Sequence, residues 1–346
     1  MITVKKEGII LKHTNIPFEN DAVLNPAVIQ EGNTVHIFYR AVKKGNYSSI
    51  GYCKLQGPLE VIERNDKPIL SPKFDYESHG VEDPRITKID ELFYLSYTAY
   101  DGINASGALA TSSDLKYFER KGIITPIITY IEFKRLSECN TDINIKYHRY
   151  HNHIAENNNI RQSFLWDKNL IFFPRRINEK IYFLHRIRPD IQIASVNEIE
   201  ELNKVYWENY LLHLDEHIIL SSKYDHEISY IGGGCPPIET EEGWLIIYHG
   251  VHDTTNGYVY TACAALLDLH NPNIELARLP YPLFKPEHEW ELTGEVNNVV
   301  FPTGTSLFND TLYIYYGAAD KCIAVASVSF KKLIHELKNR KLSNEK

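Results

Sequence analysis

Five stretches of this chain follow one plan, and a repeat of that length limits the fold more than any other feature. Each opens just before a proline, runs through a short strand and a polar turn, and ends a second strand in an aromatic or His. The units begin NPAVIQEGNTVHIFYRA at Asn25, DPRITKIDELFYLSYTAY at Asp83, FPRRINEKIYFLHRI at Phe173, PPIETEEGWLIIYHGV at Pro236 and FPTGTSLFNDTLYIYYGAAD at Phe301. Their aligned prolines are Pro26, Pro84, Pro174, Pro237 and Pro302. Strand runs rich in Val, Ile, Tyr and Phe, broken by Gly, Asn, Asp or Glu pairs, read as β-meanders. One meander cannot cover both of its faces, whereas a ring of meanders buries them against each other. An all-β, five-bladed β-propeller is expected, as a single domain over 1–346 with a short C-terminal helix at about 330–342. Long connections at 126–166 and 197–230 interrupt the rhythm, the second with a short helix in NEIEELNKVYWENYL.

Composition narrows the function. Apolar residues make up 43% of 346, enough for a large core, and 23 tyrosines suit both strands and an aromatic-lined cleft. The net charge of −8 speaks against nucleic acid and supplies no polybasic membrane signal. MITVKKEGIILKH shows no secretory signal, and no apolar run approaches about 18 residues, so a cytoplasmic protein is expected. Five widely spaced cysteines without a CxxC fit free thiols in a reducing compartment.

In a closed ring, the starts of the first strands and the ends of the second strands meet around one mouth. These positions carry Asn25, Glu82, Asp83 and Arg85, and Arg40, Tyr100, Asp101, His185, Arg186, His249 and Asp320. Charged groups gathered from distant parts of a chain are a site candidate. A sugar pocket is expected from Asn25, Arg40, Asp83, Tyr100, His249 and Asp320, which offer several hydrogen-bonding groups and an aromatic face.

GVEDPRIT (Gly80 to Thr87), YTAYDG (Tyr97 to Gly102), LHR (Leu184 to Arg186), IGGGCPPIETEEGWLIIYHGV (Ile231 to Val251), NVVFPTG (Asn298 to Gly304) and YYGAAD ending at Asp320 resemble glycoside hydrolase family 130. The resemblance implies a five-bladed propeller acting on β-mannosides, most often as an inverting phosphorylase and less often as a β-1,2-mannosidase. By that likeness Asp83 matches the catalytic acid, its proton reaching the glycosidic oxygen through a mannose hydroxyl. Arg120, Lys168 and His185 match phosphate ligands.

Some positions depart from the pattern. Asn169 stands where an acid usually follows the matched Lys, Ser106 and Gly107 stand where many phosphorylases carry an Arg, and Glu239 stands where Lys is common. Lys146, Arg149, Arg161 or Lys223 could refill the anion cage.

Phosphorolysis needs one acid and a cationic cradle, while inverting hydrolysis needs a second carboxylate as base. Three readings therefore stand: release of mannose 1-phosphate with inorganic phosphate as co-substrate; hydrolysis with Glu227 or Glu239 as base; and a non-catalytic carbohydrate-binding propeller. No metal or further cofactor is expected. His148, His151 and His153 lack an accompanying acidic motif, and IGGGCPP lacks the residues of a nucleotide loop. The expected partners are a manno-oligosaccharide and phosphate, with a homo-oligomer possible.

Overall fold

The structure, a computed structural model, describes residues 2–138, 143–148, 163–255 and 257–340. Strand β1 (Lys5–Leu11) precedes five antiparallel meanders. The first is β2 (Ala22–Glu31), β3 (Thr34–Lys43), β4 (Tyr47–Gln56) and β5 (Glu60–Arg64). The second is β6 (Gly80–Ile89), β7 (Leu92–Tyr100), β8 (Ala105–Ser112) and β9 (Glu119–Ile123). After helix α1 (Tyr130–Ser137) comes the third: β10 (Lys168–Phe172), β11 (Ile181–Arg186), β12 (Ile191–Val196) and, beyond helix α2 (Lys204–Leu212), β13 (Ile218–Leu220). The fourth is β14 (Tyr230–Gly233), β15 (Ile238–Thr240), β16 (Gly243–Thr254), β17 (Gly257–Leu267) and β18 (Glu275–Arg278). Past a one-turn helix, α3 (Glu289–Leu292), the fifth is β19 (Val300–Phe308), β20 (Thr311–Ala318) and β21 (Cys322–Ser329). Its outer strand is β1, paired with β21 from the other end of the chain.

Neighbouring meanders join through buried contacts. A single parallel bridge, Ser48 to Gly80, links the first and second. Thr87 Oγ1 donates to the Phe172 carbonyl at 3.2 Å between the second and third. Ile231 N–H donates to the Pro189 carbonyl at 2.9 Å between the third and fourth. One apolar cluster spans the fourth and fifth, including Leu245, Ile247, Ile314 and Tyr316. Thr303 Oγ1 donates to the Pro26 carbonyl at 2.7 Å, joining the fifth back to the first.

The final helix, α4 (Phe330–Lys338), begins at Ser329, whose hydroxyl accepts from Lys332 N–H. It buries Leu333 and Leu337 against the fourth and fifth meanders. It matches the expected helix but ends four residues earlier. The helix expected in the second long connection is α2, preceded by a 3-10 turn at Ile199–Glu201. The third unit starts earlier than its proline suggested. Its first strand is Lys168–Phe172, and Pro174 lies beyond that strand.

Four meanders share a buried pin that their sequences barely advertise. A fully buried glutamate receives a tyrosine hydroxyl from the second strand and pairs with a cation on the outer strand. Glu19 takes Tyr39 at 2.6 Å and Arg64 at 2.9 Å. Glu77 takes Tyr97 at 2.7 Å and Arg120 at 3.4 Å. Glu227 takes Tyr248 and, at 3.2 Å, Arg278. Glu291 takes Tyr316 at 2.6 Å and Lys6. In the last three the same carboxylate also caps its own turn, as when Lys73 N–H donates to Glu77 Oε2 at 2.9 Å. Lys6 comes from β1, so the first strand of the chain completes the pin of the fifth meander.

Removing one partner of a buried pair strands the other charge. Lys6→Ala is expected to cost about 3 kcal/mol of stability, because Glu291 is 0% exposed and Lys6 only 8%. Urea unfolding with a midpoint unchanged from wild type would refute this role.

Candidate active site

The site is built on a bulge that recurs in three first strands. Residues 25–26 oppose Tyr39, residues 83–84 oppose Tyr97, and residues 169–170 oppose His185. At each bulge an Asn or Asp has left-handed backbone, with φ of 49° at Asn25, 48° at Asp83 and 55° at Asn169. Asn and Asp tolerate this region better than other side chains with a Cβ. A bulge re-aims a side chain out of the strand's alternation, which is how Asn25 and Asp83 come together from different meanders. Gly317 leaves them room: a Cβ there would stand 2.1 Å from Asn25 Oδ1.

Asp83 lies at the centre. Its Oδ1 accepts from Asn25 Nδ2 at 2.8 Å and from Arg40 at 3.4 Å. Arg40 also donates to Glu82 at 2.7 Å and to Ser48 at 2.9 Å. Burial alone would raise the Asp83 carboxyl, but Arg40, Lys168, the Asn25 amide and Arg85 outweigh it and hold it below its usual 3.8. Arg40, Leu24 and Asp320 line a cavity of about 130 Å³ beside this cluster.

Asp320 behaves in the opposite way. Burial, reinforced by Asp83 and Glu82 and only partly offset by Arg40, pushes it up from 3.8 to about 6. The folded protein therefore holds a proton between these values that the unfolded chain has released, so stability falls as pH rises through that window. A shift of this size corresponds to about 3 kcal/mol. Asp320→Asn is expected to stabilise the free protein by up to that amount at pH 7.5 and hardly at all at pH 4. Equal melting shifts at the two pH values would contradict it.

Cations gather on the other side of Asp83. Lys168 and Arg186 are directly opposed across β10 and β11, so they share one face of the sheet. Like charges so placed repel. Burial lowers the Lys168 ammonium, an effect Glu82 and Asp83 oppose and Arg186 and Arg40 add to. The Lys168 Nζ stands 4.9 Å from the Trp166 ring centre, with no hydrogen bond among the described residues. Arg186 and Arg85 are both pushed down by burial to about 10. Burial and the nearby Arg186, Arg85 and Arg188 drive His249 far below its usual value, so the imidazole is neutral. Its Nε2 accepts from Arg186 at 3.3 Å, which places its proton on Nδ1. Arg85 threads between second and fourth meanders, donating to the carbonyls of Asp83 at 3.0 Å and Gly234 at 2.5 Å.

The structure thus brings together Asn25, Arg40, Glu82, Asp83, Arg85, Lys168, Arg186, His249 and Asp320. Tyr100 borders them, its ring centre 5.9 Å from Lys168 Nζ and its hydroxyl donating to the Gly102 carbonyl. Asp101 instead caps a turn, accepting from the N–H groups of Ile103 and Asn104 at 2.8 and 2.6 Å.

Four of the expected residues are engaged elsewhere in this structure. Arg120 lies on β9 in register with Ala110, Leu95 and Ile86, three strand spacings or roughly 14 Å from the first strand of its meander. There it pairs with Glu77 as part of the pin, away from Asp83. His185 is 0% exposed, and both ring nitrogens are engaged, by Asp167 and Tyr210 at 2.7 Å each. Its neighbour Arg186 takes the face toward Asp83. Glu227 is not a free base, since Arg278, Tyr248 and two backbone N–H groups saturate it. Glu239 sits at the sheet edge in a two-pronged pair with Arg175, 2.7 Å on both arms.

The two described substitutes for the missing Arg, Lys146 and Lys223, are engaged elsewhere too. Lys146 donates to the Ile228 carbonyl, and Lys223 pairs with Glu275 at 3.5 Å. Arg149, Arg161, His151 and His153 lie outside the described residues, while His148 packs against Phe133. Sequence reasoning missed Asp167 and Arg188. Arg188 lies over Tyr230 at 4.1 Å, beside Tyr260, at the far edge of the cationic group. Its place two residues beyond Arg186 was the available signal.

Asp83 bound by Asn25 and Arg40, with Asp320 in a small polar cavity on one side and the cations Lys168 and Arg186 on the other, suits an enzyme that protonates a hydroxyl-rich substrate and holds an anion. The sequence matches the profile of glycoside hydrolase family 130, described as beta-1,4-mannooligosaccharide phosphorylase, over residues 4–339. The chain belongs to that family and is an enzyme acting on β-mannosides. It is 32% identical to the 1,2-beta-oligomannan phosphorylase of Thermoanaerobacter sp. (strain X514), over 96% of this chain and 99% of the relative. It is 36% identical to a beta-1,2-mannobiose phosphorylase of the same organism, over 91% of this chain and 93% of the relative. Its fold matches the beta-1,2-mannobiose phosphorylase of Listeria innocua solved with beta-1,2-mannobiose, with a TM-score of 0.73 at 23% identity, covering 98% and 100% of the two chains. Among the described residues no helix is long and apolar enough to cross a membrane.

Proposed function

We propose that this protein is an inverting phosphorylase of β-1,2-linked mannosides. We further propose that its five meanders form one five-bladed propeller whose last blade is completed by β1. The cyclic order of contacts between meanders supports the ring. The observation that carries the chemistry is the Lys168–Arg186 pair. Two cations opposed across a strand pair, Arg186 buried and Lys168 half-buried, are a costly arrangement without an anion between them, and inorganic phosphate, the co-substrate, relieves it. The described carboxylates beside Asp83 do not resemble a water-activating base. Glu82 is held by Arg40 at 2.7 Å, and Asp320 lies in the cavity on the Arg40 side of Asp83. The names of the two Thermoanaerobacter relatives favour the β-1,2 linkage.

In this mechanism, Arg40, Asn25 and Asp320 hold the mannose. Asp83 supplies a proton through a sugar hydroxyl to the glycosidic oxygen, whose bond to the anomeric carbon breaks. A phosphate oxygen held by Lys168 and Arg186 forms the new bond from the opposite face. The products are α-mannose 1-phosphate and the shortened acceptor. Incubating the enzyme with β-1,2- or β-1,4-mannobiose at several phosphate concentrations tests the reading. Turnover should rise with phosphate to saturation and be faster on the β-1,2 disaccharide. Equal rates on both linkages would overturn the preference, and a rate indifferent to phosphate would overturn phosphorolysis.

A further inference from the structure

The third meander abandons the pin that the other four share. His185 stands where they place Tyr39, Tyr97, Tyr248 and Tyr316, and Asp167 replaces the glutamate. His185 Nδ1 donates to Asp167 Oδ2 at 2.7 Å, and its Nε2 meets the Tyr210 hydroxyl at 2.7 Å. That hydroxyl also lies 2.9 Å from the Ile193 carbonyl. Asp167 and His185 are 0% exposed and Tyr210 is 2%. Tyr210 is delivered by α2, which gives the second long connection a part in the site.

The exchange changes what the carboxylate reaches. In the second, fourth and fifth meanders it caps a turn remote from Asp83. In the third, Asp167 Oδ1 accepts the backbone N–H of Arg186 at 3.2 Å, and Asp167 directly precedes Lys168. One anchored residue therefore bonds the backbone of Arg186 through its carboxylate and is the chain neighbour of Lys168. The need is local. The bulge at Asn169 and Leu170 breaks the ladder right beside the Lys168–Arg186 pair, where two like charges push the strands apart.

We propose that Asp167, His185 and Tyr210 are positioning residues that hold Lys168 and Arg186 at the spacing a phosphate requires. The proposal rests on the phosphorolysis reading. Small misplacements of binding groups cost about 10-fold to 100-fold in rate or affinity. Asp167→Asn is expected to raise KM for inorganic phosphate about 10-fold or more, with KM for β-1,2-mannobiose changed less than about twofold. Tyr210→Phe, which removes one oxygen and leaves Asp167 in place, should raise KM for phosphate in the same direction by a smaller factor. Tyr316→Phe breaks an equivalent pin in the fifth meander and serves as control: it should lower the melting temperature and leave both KM values alone.

A merely structural role would move both substrates' KM values together, or neither. That result in a phosphate-dependent wild type overturns the positioning role alone. If Asp167→Asn does not fold, the Tyr210→Phe comparison decides. A wild type whose turnover ignores phosphate overturns the phosphorolysis reading and this proposal with it.

Discussion

Asp83→Asn should lower turnover by about 10³-fold or more, since proton transfer by a placed acid accounts for about 10²-fold to 10⁴-fold. An amide keeps the shape and can still bond Asn25 and the sugar, so mannoside binding measured by calorimetry should survive. The free enzyme holds the Asp83 carboxyl low because Arg40 and Lys168 face it. An acid catalyst must carry its proton, so something has to raise it. Phosphate on Lys168 and Arg186 cancels positive field beside Asp83 and moves its pKa upward. The basic limb of kcat, measured with phosphate saturating, should therefore lie at higher pH than that of kcat/KM for phosphate, which reports the phosphate-free complex. Coincident limbs would deny that phosphate primes the acid, and an active Asp83→Asn would deny that Asp83 is the acid.

Lys168→Met should raise KM for phosphate by roughly 10-fold to 150-fold, the equivalent of losing one charge-assisted hydrogen bond of about 1.5–3 kcal/mol. The same change removes a half-buried ammonium whose charge its surroundings disfavour and which faces Arg186 across the strand. The free variant should thus melt higher, by about 2 °C per kcal/mol. A site that trades stability for binding behaves in this way. A Lys168→Met protein with wild-type KM for phosphate would place the anion elsewhere, and one that melts lower would mean that Glu82 and Asp83 depend on the lysine more than Arg186 resents it.

The meanders were legible because strand and turn composition is local, and because Asn25–Pro26 and Asp83–Pro84 mark their bulges in the sequence. The third unit was misaligned for the same reason. Its bulge is Asn169–Leu170, without proline, and the nearby Pro174 took its place in the alignment. Correct alignment sets Lys168 level with Leu24 and Glu82, and Arg186 level with Arg40 and Thr98. That register alone would have put Arg186, rather than His185, on the face toward Asp83. Adjacent strand residues face opposite ways, so an error of one position exchanges site for core.

Arg120 and Glu227 misled differently. Both are charged and both belong to the pin, which is written across residues far apart in the chain. Its one local trace is an aromatic or His, an acid, any residue and Glu: Phe74 to Glu77, Tyr224 to Glu227 and His288 to Glu291. Read as a repeat, it would have assigned these carboxylates to the scaffold. The raised Asp320 and lowered Asp83 depend on the sum of several buried charges, which no spacing in a sequence expresses.

The most direct test follows the products of β-1,2-mannobiose by proton and phosphorus NMR in phosphate buffer. The account predicts α-mannose 1-phosphate and free mannose in equal amounts, with neither formed when phosphate is left out. Two molecules of free mannose per disaccharide, released at the same rate with or without phosphate, would contradict it.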